Sequence, residues 1–162
     1  MQQPKNSHLA QLNIGRLRAE PGDPIVKEFM DSLDLVNGIG KRASGFVWMM
    51  EGSGQPGTGN TENRLDDDPQ FVANLTVWQD IPSLRHFAMN TLHLKFMERR
   101  HEWFENLQKP SFVMWWVDAG HTPNLTEARD RLDQRAKKGD SETAFGWDYA
   151  DAHSLMKRRS AD

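Results

Sequence analysis

Two polar side chains, His93 and Arg100, interrupt an apolar helical stripe made of Met89, Leu92, Phe96, Met97, Trp103 and Phe104. A neutral imidazole takes a proton near pH 7, and a guanidinium holds a carboxylate or a developing enolate. The pair therefore has the composition of a general base and an anion clamp. On one continuous helix this spacing points both the same way, about 10.5 Å apart along the axis. The structural alternative is a satisfied core histidine and an arginine paired with a buried acid or carbonyl. Asn13, with Gln11, Asn74 and Thr76, adds polar groups on strands; Asn13 is a third catalytic candidate, and Asn74 is placed to orient a ligand. The other reading sends these amides to water or to a partner sheet. Trp48, Trp78, Trp103 and Trp116 can each bury roughly 150–250 Å², either as core packing or, with Phe96, as pocket wall. His121 follows Gly120 and precedes Thr-Pro, where it shapes a pocket mouth or caps a turn.

The elements that must position these residues follow from periodicity. Residues 1–7 read as disordered. His8 to Leu17 alternates, with Ala10, Leu12 and Ile14 facing one way and Leu9, Gln11 and Asn13 the other. Asp23 caps a first helix begun by Pro24, which buries Val26, Phe29, Met30, Leu33 and Val36 and fades near Asn37-Gly38. Gly45 to Glu51 is a strand apolar on both sides, with Phe46, Trp48 and Met50 together. Residues 52–69, rich in Gly and Pro, form a flexible loop. Phe71 to Trp78 and Ser111 to Asp118 are further strands. Between them, over Pro82–Phe104, the apolar face changes sides near Asn90, which means two helices or one helix with two partners. Asn124 opens a helix over Leu125, Ala128 and Leu132 that Gly139 ends; Thr143 to Trp147 is a short strand, and 148–162 a tail.

Composition bounds the class. With 162 residues, 37% of them hydrophobic, the chain suits one domain, residues 8–147. A net charge of −3 with scattered Lys and Arg gives no footprint for nucleic acid. No apolar run approaches a membrane span. The amino end lacks the apolar core of a signal peptide, so a cytoplasmic location is expected. The absence of cysteine removes thiolate ligands and disulfides. His86, His93 and His101 do not share a face with a third ligand, so no metal is expected.

Strand, helix, strand, strand, helix, strand predicts an α+β fold: a split βαββαβ core with an antiparallel sheet and helices on one face. Its other face, too apolar for water, calls for a second subunit. Two sheets face to face give a homodimer with a barrel-like interior suited to a hydrophobic small molecule.

The segments Leu9–Arg16, Gly45–Trp48, Asn74–Trp78, His93 with Arg99–Phe104, and Trp115–Pro123 together resemble the bacterial family called domain of unknown function 3291. The resemblance implies membership of the dimeric α+β barrels, a ferredoxin-like dimer with an interior pocket, in a superfamily that includes antibiotic-biosynthesis monooxygenases and haem-degrading oxygenases. Asn13, Trp78 or Trp103, and His93 are similar in kind to the haem trio of the latter, but differ in spacing, and Phe87 stands at the helical Trp position. Three readings are carried forward. One is a cofactor-independent monooxygenase-like or isomerase-like enzyme acting on an aromatic or polyketide-like compound. The others are a non-catalytic binding module and a haem protein.

Overall fold

The computed structural model describes residues 1–159 except 57 and 60, and side-chain surroundings as far as His153. In chain order it contains β1 (Ser7–Arg16), α1 (Lys27–Arg42), β2 (Phe46–Met49), β3 (Phe71–Trp78), α2 (Ile81–Asn90), α3 (Leu92–Glu98), β4 (Phe112–Asp118), α4 (Leu125–Lys138) and α5 (Trp147–Arg159). Short 3-10 turns at Pro24–Val26 and Arg100–Glu102 precede α1 and follow α3. The fold is α+β. Among the described residues the strands form one antiparallel sheet in the order β2-β3-β1-β4.

Strict alternation sorts the three longer strands as the sequence predicts. Ala10, Leu12, Ala73, Leu75, Val77, Val113, Trp115 and Val117 share one face. Leu9, Gln11, Asn13, Asn74, Thr76, Trp78, Phe112 and Met114 share the other. Over the second face lie α1, α2 and α5, which bring Val36, Leu84, Phe87 and Ala150 onto Leu9, Trp78 and Met114.

The core helices α1 and α2 share one face as expected, but the face expected to lie open receives the additional helix α4. α4 packs Ala128 and Leu132 against the Ala10 and Val113 face, and every sheet residue of that cluster from the three long strands is at most 6% exposed. Asn124 caps α4 by accepting from the Glu127 N–H at 2.9 Å, and burial of Leu132 alone contributes about 1.5–3 kcal/mol. α4 thus covers much of the sheet face offered as a reason for a second subunit, while Ile14, Trp48 and Met50 on that face are only partly buried.

Thr91 decides the central segment. Its φ of −125° and ψ of −176° are extended, so the chain makes two helices. The Thr91 hydroxyl donates to the Phe87 carbonyl at 2.6 Å, closing α2, and accepts from the His93 N–H at 3.2 Å, opening α3. The about 10.5 Å separation predicted for His93 and Arg100 assumed a continuous helix and does not apply.

Three further expectations change. β2 carries a bulge between Phe46 and Trp48, leaving Val47 39% exposed rather than buried. The bulge splits the predicted set: Phe46 packs beside Trp78, whereas Trp48 and Met50 pack on the opposite face. The short strand at Thr143–Trp147 shrinks to two isolated bridges, Ala144 with Ser141 and Phe145 with Met114, the latter with backbone bonds of 2.7 and 2.9 Å. The tail after it is α5, anchored by Arg85 on Asp151 and by Arg85 lying 4.8 Å over the Trp147 ring.

The segments read as disordered or flexible make defined contacts. Gln3 donates to the carbonyls of Ser7 and Gln79, each at 2.9 Å. In the 52–69 segment, Glu62 accepts from the Ser53 N–H at 2.6 Å, and Arg129 donates to the Leu65 carbonyl at 2.7 Å.

Candidate functional site: a cavity between sheet and helices

A cavity of about 460 Å³ lies inside the single chain, between the Gln11 face of the sheet and the layer of α1, α2 and α3. It is not the space between two facing sheets that the sequence suggested. Its floor is Gln11, Asn13, Asn74 and Thr76. Its roof includes Phe29, Leu33, Phe87, Phe96 and Met97, with Trp103 and Phe104 closing one side. The composition is that of a small-molecule site, apolar walls with a few convergent polar groups.

The floor is a connected amide and hydroxyl system. Gln11 Nε2 donates to Thr76 Oγ1 at 2.8 Å and to Asn74 Oδ1 at 3.2 Å. Trp78 Nε1 donates to the same Thr76 oxygen at 2.8 Å. The pairing of β1 with β3 sets Gln11 opposite Thr76 and Asn13 opposite Asn74, which is why four polar side chains meet here. Gln11 is 6% exposed and Thr76 2%.

His93 enters from the start of α3. Its Nδ1 lies 3.3 Å from the Ala88 carbonyl oxygen. A carbonyl only accepts, so Nδ1 carries the proton and the neutral ring keeps Nε2 as acceptor. Burial pushes the His93 pKa below the usual histidine value, and the Ala88 bond offsets only part of that. The ring rests against Phe87 with centroids 4.8 Å apart. His93 is therefore neutral at pH 7, the form a base requires.

Arg100 also borders the cavity, but as an exposed residue on the 3-10 turn. Among the described residues its guanidinium meets no acid or carbonyl within hydrogen-bonding reach, so the buried-partner alternative fails for it. Arg99 holds the surface role instead. It bonds Glu28 at 2.6 and 2.7 Å and Glu102 at 2.8 Å, and it sits 4.8 Å over the Trp103 ring. Those carboxylates raise the Arg99 pKa further, Glu102 contributing most.

Of the residues singled out from sequence, the cavity gathers Asn13, Asn74, His93, Phe96, Arg100 and Trp103. It excludes four. Trp48 is on the opposite sheet face because of the β2 bulge. Trp78 is fully buried behind the floor, stacked on Phe87 at 5.2 Å, and reaches the cavity only through Thr76. Trp116 packs on Phe145 with its Nε1 enclosed and unpartnered. His121 is outside, 2.7 Å from Glu127, which also accepts from Trp115 Nε1 at 2.9 Å.

Sequence reasoning passed over Ser32 and Asn37 of α1, both of which line the cavity. The signal was present: Phe29, Ser32, Leu33, Val36 and Asn37 recur at helical spacing, so both polar residues interrupt an apolar stripe as His93 does. Arg135 and Asp148 also border the cavity at its β4 end, and nothing local in the sequence marks them. Arg135 is spoken for, donating to the Phe112 carbonyl at 2.6 Å and to Asp140 at 2.5 Å.

No cluster of metal-ligating side chains occurs among the described residues. No helix among them is long and apolar enough to cross a membrane.

Fold and site together define an α+β protein with a partly open, small-molecule-sized cavity between an antiparallel sheet and its helical layer. The chain belongs to the family described as domain of unknown function DUF3291, whose model matches residues 8–160. No curated protein matches it. Two crystal structures are similar to it. PA3566 from Pseudomonas aeruginosa is 13% identical with a TM-score of 0.45, over 69% of this chain and 93% of that one. NE2512, a protein of unknown function from Nitrosomonas europaea, is 10% identical with a TM-score of 0.46, over 75% and 97%.

Proposed function

We propose that the chain is a cofactor-independent enzyme of monooxygenase-like or isomerase-like type. It holds a mostly apolar aromatic or polyketide-like compound in the cavity and removes a proton beside a carbonyl group. One observation carries the reading: a neutral His93, its Nε2 without a partner among the described residues, shares a mostly apolar cavity with floor amides whose hydrogen-bonding capacity is not fully used. His93 Nε2 takes the proton, the C–H electron pair moves into the carbonyl, and the oxygen becomes an enolate. Floor N–H groups and Arg100 at the rim stabilise that charge. Return of the proton to another carbon completes an isomerisation; attack of the enolate on dioxygen is the oxygenase variant.

The strand order β2-β3-β1-β4 supports the ferredoxin-like assignment. A homodimer is retained as part of the proposal, with Ile14, Trp48 and Met50 left only partly buried on the sheet face that α4 packs against. The haem alternative has less support. Trp78 is walled off from the cavity, and Arg100 is the one unpaired cation lining it among the described residues, a poor match for a ligand with two propionates. A hemin titration without a Soret shift disposes of it.

The test is solvent exchange. The protein is incubated in deuterium oxide with a panel of aryl ketones and 1,3-diketones, and deuterium uptake at carbon is followed by mass spectrometry. Uptake above the buffer rate that disappears in His93→Gln supports the enzyme. Binding without uptake leaves the non-catalytic module, and neither binding nor uptake overturns the proposal.

A further inference from the structure

Gln11, Asn74 and Thr76 give their part of the cavity floor a hydrogen-bond polarity, and that polarity names the ligand. Gln11 Nε2 has two hydrogens, and both are used, one on Thr76 Oγ1 and one on Asn74 Oδ1. Thr76 Oγ1 has two lone pairs, and both are used, one by Gln11 and one by Trp78 Nε1. Trp78 can only donate, so one of those two lone pairs is always taken, and its stack on Phe87 holds the indole in place.

Three groups are left with one role each. The Thr76 hydroxyl can only donate, and no acceptor for it lies within reach among the described residues. Asn74, its oxygen taken by Gln11, offers the cavity its Nδ2 donor. Gln11, its nitrogen used twice, offers its Oε1 acceptor, on a side chain that is 6% exposed. An unfilled donor or acceptor in such a place is costly, so a ligand that fills it is selected over one that does not.

We infer that the cavity selects compounds that pair an acceptor oxygen, carbonyl or enolate, with a nearby hydroxyl. The oxygen is received by Asn74 Nδ2 and the Thr76 hydroxyl, and the hydroxyl by Gln11 Oε1. Trp78 acts as a positioning residue that holds the Thr76 hydroxyl from behind by taking one of its lone pairs. This rests on the reading of the cavity as the ligand site and gives it a substrate class, the hydroxy-ketones of an otherwise apolar skeleton.

Gln11→Glu supplies the test, because it keeps the shape and reverses the array. Glu accepts where Gln donated, so the Thr76 hydroxyl turns to it and Asn74 turns its amide, presenting Oδ1 to the ligand. Isothermal titration is run on both proteins with the hydroxyacetophenones, their methyl ethers and the corresponding ethylphenols. In the wild type, loss of either the carbonyl or the free hydroxyl weakens binding about tenfold. In Gln11→Glu the carbonyl no longer helps, and the ethylphenols bind at least as well as the hydroxyacetophenones. Trp78→Phe, which frees one lone pair of Thr76, narrows the discrimination without abolishing binding. If all compounds bind the wild type alike, the inferred polarity is wrong while the cavity remains a ligand site. If none binds, the reading of the cavity fails and the inference falls with it.

Discussion

A Cβ placed on Gly15 would lie 2.5 Å from Cδ1 of Phe104. The phenyl ring therefore rests directly on the β1 backbone, where it meets Phe29 edge-on with centroids 4.9 Å apart and closes one side of the cavity. Gly15→Ala forces the ring off this seat and should cost about 1–3 kcal/mol, the usual penalty for overpacking. Adding Phe104→Leu should recover most of it. Urea denaturation of the two variants, one single and one double, checks this; equal losses in both would mean the contact is unimportant.

The pH dependence of stability should carry the mark of His93. Its folded pKa lies below the ordinary value because burial disfavours the imidazolium. The unfolded chain takes up the proton near pH 6.5 while the folded chain resists. The contribution of neutral His93 is therefore fully present above about pH 6.5 and is lost as pH falls through the lower folded pKa. His93→Gln should show a flatter stability profile between pH 7 and pH 5 than the wild type. Parallel profiles would show that the ring titrates freely.

Arg99 and Arg100 are neighbours with opposite expectations. Arg99 is committed to Glu28, Glu102 and the Trp103 face, so Arg99→Gln should lower the melting temperature slightly and make it less dependent on salt. Arg100→Gln should leave melting unchanged and weaken binding of anionic aromatic ligands about tenfold. Differential scanning fluorimetry beside titration with benzoate derivatives separates the two. A destabilised Arg100→Gln would return that residue to a structural role.

Trp115 and Trp116 provide a matched pair on opposite sheet faces. Trp115 is fully buried and its Nε1 donates to Glu127, whereas Trp116 Nε1 is enclosed without a partner. Trp115→Phe should cost about 1–2 kcal/mol more than Trp116→Phe, since the first loses a satisfied bond and the second sheds an unsatisfied donor. Equilibrium unfolding by guanidinium, followed through the remaining tryptophans, measures the difference.

Much of this site was legible before folding. A period of two sorted β1, β3 and β4 onto their faces, and a polar residue inside an apolar helical stripe marked His93 and Arg100. The same signal would have marked Ser32 and Asn37. What misled was the treatment of aromatic residues as equivalent. Trp48 was turned to the other face by one bulged residue, and Trp78 was fixed behind Thr76 by a single hydrogen bond. Neither event alters the local apolar pattern.

By itself the sequence determined which residues could share a face, because side-chain direction along a strand or helix is set by backbone geometry. It also determined two helix starts, through the Asp23 and Asn124 caps, whereas it left open the break that Thr91 makes between α2 and α3. Only the tertiary structure decided where the cavity lies. The sheet has two faces of comparable apolar character. α4 and Trp115 cover most of one of them, while α1, α2 and α3 leave about 460 Å³ above the other. Which face is filled depends on how helices distant in sequence pack, and no local pattern encodes that.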